Sequence, residues 1–307
     1  MPQTATSADM SRLVINAVGR GSRATALPAG MRHTENSMRC VYLDLDGTLL
    51  GHGASLMHDG EGNVTMAGVK AIEACHRAGL EIVMISGRRE AQVREDTRLL
   101  GGRAYAFESG ACLVTDGERD WLTGEWMPGE LTIHEQIEHA GAGQLLLNHY
   151  DGQLEHHEPW HTGREVSHLY RGRIDAAEAT QLLADNGFPT LRLCDNGSVH
   201  HSSKALRDLG DLRAYHLVPA GASKVNAVAR HMQIRGYRPE DCLSAGDGRE
   251  DLEIASVVGS TWIMRNALEA DPEMKALAAA RPNVRVSEEG NGAGVYEAVV
   301  TMLAEQR

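Results

Sequence analysis

Two carboxylates one residue apart, Asp44 and Asp46, stand between the apolar run Cys40-Val41-Tyr42-Leu43 and the turn residues Gly47-Thr48. Two such charges about 4 Å apart repel by roughly 4 kcal/mol at an effective dielectric near 20, so the pair needs a cation, a shared proton or a chemical task. If the strand continues through them, both side chains point to one side. Alone, an Asp-x-Asp is as readily a solvated turn. Three further features change that reading. Ser86-Gly87-Arg88 sets a hydroxyl and backbone amides between an apolar run and a helix start, which suits an anion. Lys224 follows Gly221-Ala222-Ser223 at another expected helix start, and Gly246-Asp247-Gly248-Arg249-Glu250-Asp251 follows a third apolar run. Singly, each is ordinary: a loop tripeptide, a surface lysine, a helix cap. Together they offer a nucleophilic carboxylate, an acid/base carboxylate, a hydroxyl, a cation and a further acidic pair, a set suited to Mg²⁺-assisted phosphoryl transfer.

A parallel sheet would gather all four on its carboxyl edge, where open α/β sheets bind ligands. The chain predicts one. The strand ending at Leu45 leads through a Gly- and His-containing loop to a helix over 67–78, stopped by Gly79. A buried strand at 80–85, a helix to about Leu100 and a strand at 104–107 follow. After Pro219 the same rhythm returns: a helix from near Ser223, a strand at 241–245, a helix after Asp247, a strand at 261–265, a helix at 272–280, a strand at 284–286 and a last helix to about Leu303. Strands alternating with helices of this length argue for βαβ units.

Between 113 and 217 the rhythm changes. Trp121, Trp126 and Trp160 fall here with ten of the 15 histidines, strand-like runs at 144–149 and 190–193, and a helical piece at 176–186. The expected fold is therefore α/β, a Rossmann-like parallel sheet core formed by 38–112 and 217–307, with an inserted α+β cap domain at 113–216. Residues 1–37 lack a sustained apolar period and are expected to be a disordered extension, with Met38 a candidate start.

At 307 residues and a net charge of −12, the chain lacks the basic face of a nucleic-acid binder. It has no apolar run of membrane-spanning length and no signal-peptide core, so a cytoplasmic protein without membrane contact is expected. The cysteines, Cys40, Cys75, Cys112, Cys194 and Cys242, are odd in number and scattered, so neither a disulfide framework nor a structural zinc site is expected. His156, His157, His161, His168, His200 and His201 lack zinc-like spacing and read as a polar cap surface. With Arg164, Arg171, Arg192 or Lys204, some could touch a leaving group. Gly290-Asn291-Gly292-Ala293-Gly294 lacks dinucleotide-binding spacing and reads as a turn. No protein partner is readable.

In order and spacing, the four features resemble the haloacid dehalogenase superfamily of Mg²⁺-dependent phosphotransferases. Asp44-Leu45-Asp46-Gly47-Thr48-Leu49-Leu50 resembles its first motif, Ile85-Ser86-Gly87-Arg88 its second, Lys224 its third and Gly246-Asp247 through Asp251 its fourth. Glu108-Ser109-Gly110 and Met264-Arg265-Asn266-Ala267 resemble marks of the Cof-like sugar-phosphatase branch with a C2-type α/β cap, which has Asn where Ser109 and Glu250 stand here and Gly where Arg265 stands. The resemblance implies that Asp44 attacks phosphorus and becomes an aspartyl-phosphate, while Asp46 protonates the leaving oxygen and then activates water. It implies phosphate contacts from Thr48, Ser86, Gly87 and Lys224. Mg²⁺ would be held by Asp44, the Asp46 carbonyl and Asp247, with Asp251 behind or bound directly. Members that dehalogenate lack the second Asp, so Asp46 favours phosphate transfer. The expected activity is a phosphatase acting on a small phosphorylated metabolite such as a sugar or polyol phosphate. The rivals are a phosphomutase and a non-catalytic binding protein on the same fold.

Overall fold

A computed structural model describes residues 38–199 and 203–306. The expected extension at 1–37 and the pair His200-His201 lie outside the described residues.

The chain opens with β1 (Cys40–Leu43), α1 (Ala67–Ala78), β2 (Glu81–Ile85), α2 (Glu90–Leu99) and β3 (Ala104–Phe107). These strands pair in parallel, and the hairpin β4 (Cys112–Thr115) and β5 (Glu118–Trp121) continues the sheet antiparallel. The large sheet thus reaches Trp121, past the expected boundary at 112, because Cys112–Thr115 pairs back on β3 instead of leaving the core.

The middle of the chain forms α3 (Ile133–Ala140), α4 (Ala142–His149), β6 (Leu154–His156), β7 (His168–Gly172), α5 (Ala176–Asp185), β8 (Leu191–Val199) and β9 (Leu212–Pro219). Its four strands make a separate antiparallel sheet in the order β6-β7-β9-β8. The run at 144–149, expected as a strand, is the helix α4. Its buried residues include Ala142 and Leu146, one helical turn apart, and an apolar run this short does not reveal its own period. Ile133, Ile137, Leu146, Tyr170, Leu183 and Leu217 form the core of this cap.

The return supplies α6 (Lys224–Arg235), β10 (Cys242–Gly246), α7 (Arg249–Glu253), β11 (Ser260–Ile263), α8 (Asn266–Ala270), α9 (Met274–Ala279), β12 (Val284–Val286) and α10 (Asn291–Glu305). The large sheet has eight strands in the order β12-β11-β10-β1-β2-β3-β4-β5. Alternation sorts the β1 side chains. Val41 and Leu43 pack on the face covered by α1 and α10 with Val295, Ala298 and Val299, whereas Cys40 and Tyr42 pack on the other face with Ala227, Val228 and Met232 of α6. Helices cover both faces, which is why the central strands are nearly uninterrupted apolar runs. The fold is α/β, Rossmann-like, with a second sheet as cap.

Candidate active site at the carboxyl edge

β1 ends at Leu43, so strand alternation no longer governs the two carboxylates that follow. Asp44 continues the ladder by one hydrogen bond, donating its N–H to Ala245 O at 3.1 Å, and the residue is buried. Gly47 then turns the chain with φ +76°, and a Cβ there would lie 2.1 Å from Asp247 Oδ2, so only glycine lets the two loops meet.

Lys224, the first residue of α6, is buried with its ammonium between two carboxylates: Nζ lies 3.0 Å from Asp44 Oδ1 and 2.8 Å from Asp251 Oδ1. Oxygens of Asp44, Asp247 and Asp251 lie within 4.8 Å of one another. Thr48 donates its hydroxyl to Asp247 Oδ1 at 3.0 Å, and Gly248 N–H donates to Asp251 Oδ2 at 3.0 Å. Burial pushes the Asp44 carboxyl well above the usual carboxylate range, with the Lys224 ammonium opposing. Burial and the neighbouring Asp251 push Asp247 up to about 7. Although burial works against its charge, Asp251 and Asp44 hold Lys224 above the usual lysine range. A pocket that penalises its own carboxylates with one ammonium among them fits a divalent cation, and an all-oxygen donor set fits a hard one such as Mg²⁺.

Of the residues expected at the site, Asp44, Thr48, Lys224, Asp247 and Asp251 come into this one network. Asp46 is turned elsewhere, with its side chain 55 % exposed and both oxygens taken by Arg88, Nε to Oδ2 and Nη2 to Oδ1 at 2.6 Å each. Ser86 is buried and accepts from Arg88 N–H at 3.2 Å. Gly87 lies directly beneath the cap: a Cβ there would sit 2.9 Å from His216 Nε2 and 3.0 Å from the Asn196 amide.

Several residues in this arrangement were not assigned a role from sequence. Asn266 and Asn291 both donate Nδ2–H to the Gly47 carbonyl at 2.9 Å, fixing the turn that follows the two carboxylates. The stretch at 290–294, expected to be a turn, is in fact the start of α10, and the buried Asn291 side chain donates to the Gly47 and Leu50 carbonyls. Glu108 is fully buried and accepts N–H groups from Glu165, Val166 and Ser167 at 2.9, 3.1 and 2.6 Å, plus the Ser167 hydroxyl at 2.9 Å. Its own N–H donates to Arg88 O at 3.0 Å, and Ser109 N–H donates to Ser86 O at 3.1 Å. Both residues hold positive φ, +48° and +59°, a strained region for residues with a side chain.

The cap side chains sort as follows. Arg164 donates Nη1–H to Gly87 O at 3.0 Å, and Arg192 pairs with Glu250 at 2.9 Å. Arg171 pairs with Glu155 within the cap. The histidines are not uniformly surface residues: His168 is buried, stacked on His134 with ring centroids 3.8 Å apart.

A sequence model of the haloacid dehalogenase-like hydrolases matches residues 38–259. The chain belongs to that family. Family membership makes it an enzyme of the hydrolase class, and among the described residues no helix is long and apolar enough to cross a membrane. Its relatives include a phosphoglycolate phosphatase of Methanothermobacter thermautotrophicus, 23 % identical over 85 % of this chain and 97 % of the relative. An HMP-PP phosphatase of Klebsiella pneumoniae is 26 % identical over 78 % of this chain and 87 % of the relative. Among solved structures, the sucrose-phosphatase of a Synechocystis species in complex with sucrose and phosphate superposes with a TM-score of 0.61 at 17 % identity, covering 87 % of this chain and 98 % of that one. That likeness concerns the fold.

Proposed function

We propose that this hydrolase is a Mg²⁺-dependent phosphatase that cleaves a small phosphorylated metabolite through an aspartyl-phosphate on Asp44. The observation that carries the reading is the buried Lys224 ammonium held between Asp44 and Asp251, with Asp247 completing an all-oxygen cluster. Asp44, the Asp46 carbonyl and Asp247 would hold Mg²⁺, with Asp251 bound directly or behind them; the ion would offset charge on the phosphoryl oxygens. Asp44 Oδ attacks phosphorus as the ester oxygen leaves, and Asp46 gives that oxygen its proton. Asp46 must therefore leave Arg88 and be protonated in the first step. As a base, it then takes a proton from water, whose oxygen attacks the phosphorus of the acyl phosphate and frees the Asp44 carboxylate. Thr48, Ser86, the Gly87 backbone and Lys224 bind the phosphoryl oxygens, where Lys224 lowers the repulsion between an incoming dianion and Asp44.

The inserted cap closes over the ester group, and a sugar or polyol phosphate is the favoured substrate. The relatives' own names, phosphoglycolate and HMP-PP phosphatases, support a small phosphorylated metabolite in general, and the preference for a sugar rests on the resemblance to the sugar-phosphatase branch and on the fold shared with a sucrose-phosphatase. The test is phosphate release from a panel of sugar, polyol and small-acid phosphates with Mg²⁺ or EDTA, for wild type and Asp44→Asn. Mg²⁺-dependent release that disappears in the variant is expected. Release that survives Asp44→Asn rules the mechanism out, and phosphate migration between positions without release would make the enzyme a mutase.

A further inference from the structure

The amino edge of the large sheet carries a second group of donor atoms that the proposed reaction does not use. There β10, β1 and β2 are in register, with Cys40 paired to Cys242 on one side and to Glu81 on the other. Register partners on parallel strands project to the same face, so two thiols and a carboxylate form a row across three strands. The face is the one covered by α6, whose His231 is fully buried against it. One atom each from Cys40, Glu81 and His231 lies within 4.8 Å of the other two.

The two nitrogens of His231 differ. Nδ1 is 2.9 Å from the Tyr42 hydroxyl, whereas Nε2 is buried with no hydrogen-bond partner. Leaving such a nitrogen unsatisfied is costly, because it has lost its water without gaining a partner. Its nearest carboxylate oxygen, Glu81 Oε1, is 3.7 Å away, too far for a hydrogen bond.

We propose that Cys40, Glu81 and His231 hold a zinc ion, with the thiol of Cys242, the register partner of Cys40, turning in as the fourth ligand of a closed tetrahedral site. Zinc bonds of about 2.0–2.3 Å to sulfur, nitrogen and oxygen place neighbouring donors roughly 3.3–3.8 Å apart, so a separation that is poor for a hydrogen bond suits an ion between the two atoms. Tyr42 then has a positioning role. Its hydroxyl accepts Nδ1–H, leaving the Nε2 lone pair turned inward. Glu81 is held from outside, its Oε2 accepting from the Tyr237 hydroxyl at 2.8 Å and its Oε1 from Arg235 Nη2 at 2.8 Å. Burial pushes the Cys40 thiol well above its ordinary value, so without a cation it stays protonated. Binding transfers both thiol protons to solvent. The resulting two thiolates and one carboxylate exceed the ion's charge by one, which the Arg235 guanidinium, shared with Asp116, offsets in part. Sulfur and nitrogen donors set this site apart from the Mg²⁺ cluster, which lies about 13 Å away along β1.

The test uses the full chain, incubated with Zn²⁺ and desalted, with metal content read by mass spectrometry. One zinc per chain is expected in wild type and in Asp247→Asn/Asp251→Asn, and none in His231→Gln. Replacement by Co²⁺ should give tetrahedral d–d bands with thiolate charge-transfer absorption, weakened in Cys242→Ser. That second, smaller substitution carries the test if His231→Gln does not fold. Equal zinc content in wild type and His231→Gln or, where that variant does not fold, a cobalt spectrum that Cys242→Ser leaves unchanged would overturn the proposal. So would loss of zinc in the double Asp variant alone, a cobalt spectrum without thiolate bands, or a Cys40–Cys242 disulfide found by peptide mapping.

Discussion

The two edges of one sheet hold donor sets of opposite character, supplied by the same elements. β1 and β10 run from Cys40 and Cys242 at one edge to Asp44 and Asp247 just beyond the other. α6 spans them, giving Lys224 to the carboxyl edge and His231, about 10 Å further along its axis, to the amino edge. At the carboxyl edge Asp44 and Asp247 sit on loops that follow strands, and Asp251 and Lys224 on the first turns of helices that follow such loops. At the amino edge the donors lie inside strands and helix, enclosed by Tyr42 and Tyr237. Loop placement suits a site that must open to a substrate; enclosure suits one that only holds. The lesson is that a single α/β layer can separate hard from soft coordination by strand polarity alone.

The sharpest way to break this contrast is Asp44→Asn. Phosphate release should fall at least ~10³-fold while zinc content is unchanged, since removing a nucleophile costs on that scale or more. Joint loss of both would mean that the edges are not independent. Lys224→Met should follow, with release down about 10²–10³-fold through lost stabilisation of developing charge. It should also lower the melting temperature, because Asp44 and Asp251 are left facing each other without their shared cation. Calorimetry with Mg²⁺ at a hundredfold excess over its Kd should raise wild-type stability by about 2.7 kcal/mol. Asp247→Asn should abolish that gain and Cys242→Ser should not.

The smallest effect belongs to neither edge. Burial, aided by His134, lowers the cap's His168 from its ordinary value to about 3. A buried neutral histidine gives stability that is complete above the unfolded value near 6.5 and is lost as pH falls from there toward 3, because only the unfolded chain gains the proton in that window. Stability should drop by up to about 2 kcal/mol between pH 6.5 and 5, and His168→Phe should flatten the slope in chemical denaturation. An unchanged slope would assign acid lability to the sheet edges.

The carboxyl edge was largely legible in the sequence because each of its parts is local: a strand followed at once by Asp44-x-Asp46, Ser86-Gly87-Arg88, or Gly246-Asp247. The helix 67–78 and the strand 104–107 were readable for the same reason, marked by Gly79 and by short apolar runs. What depended on distant partners was not. The pairing of Asp46 with Arg88 requires two loops to face each other, and the role of Asn291 depends on α10 starting beside Gly47. The scattered cysteines gave no metal spacing because the donor row runs across strands, through positions 40, 81 and 242, with 231 arriving from a helix. Register, the property that unites them, is not written in any one stretch of chain.

The Glu108 loop has a thermodynamic consequence. It receives the cap backbone at 165–167, bonds the backbone of Ser86 and Arg88, and at Gly110 comes so close to Ser223 that a Cβ would lie 2.2 Å from its carbonyl oxygen. Cap, the Ser86–Arg88 loop proposed to bind phosphate and the start of the helix bearing Lys224 thus share one joint. Two ligand groups bound on either side of such a joint are energetically coupled, and the coupling is reciprocal. Whatever a bound phosphate does to the affinity of the cap for the rest of its substrate, that remainder must do, by the same factor, to the affinity for phosphate.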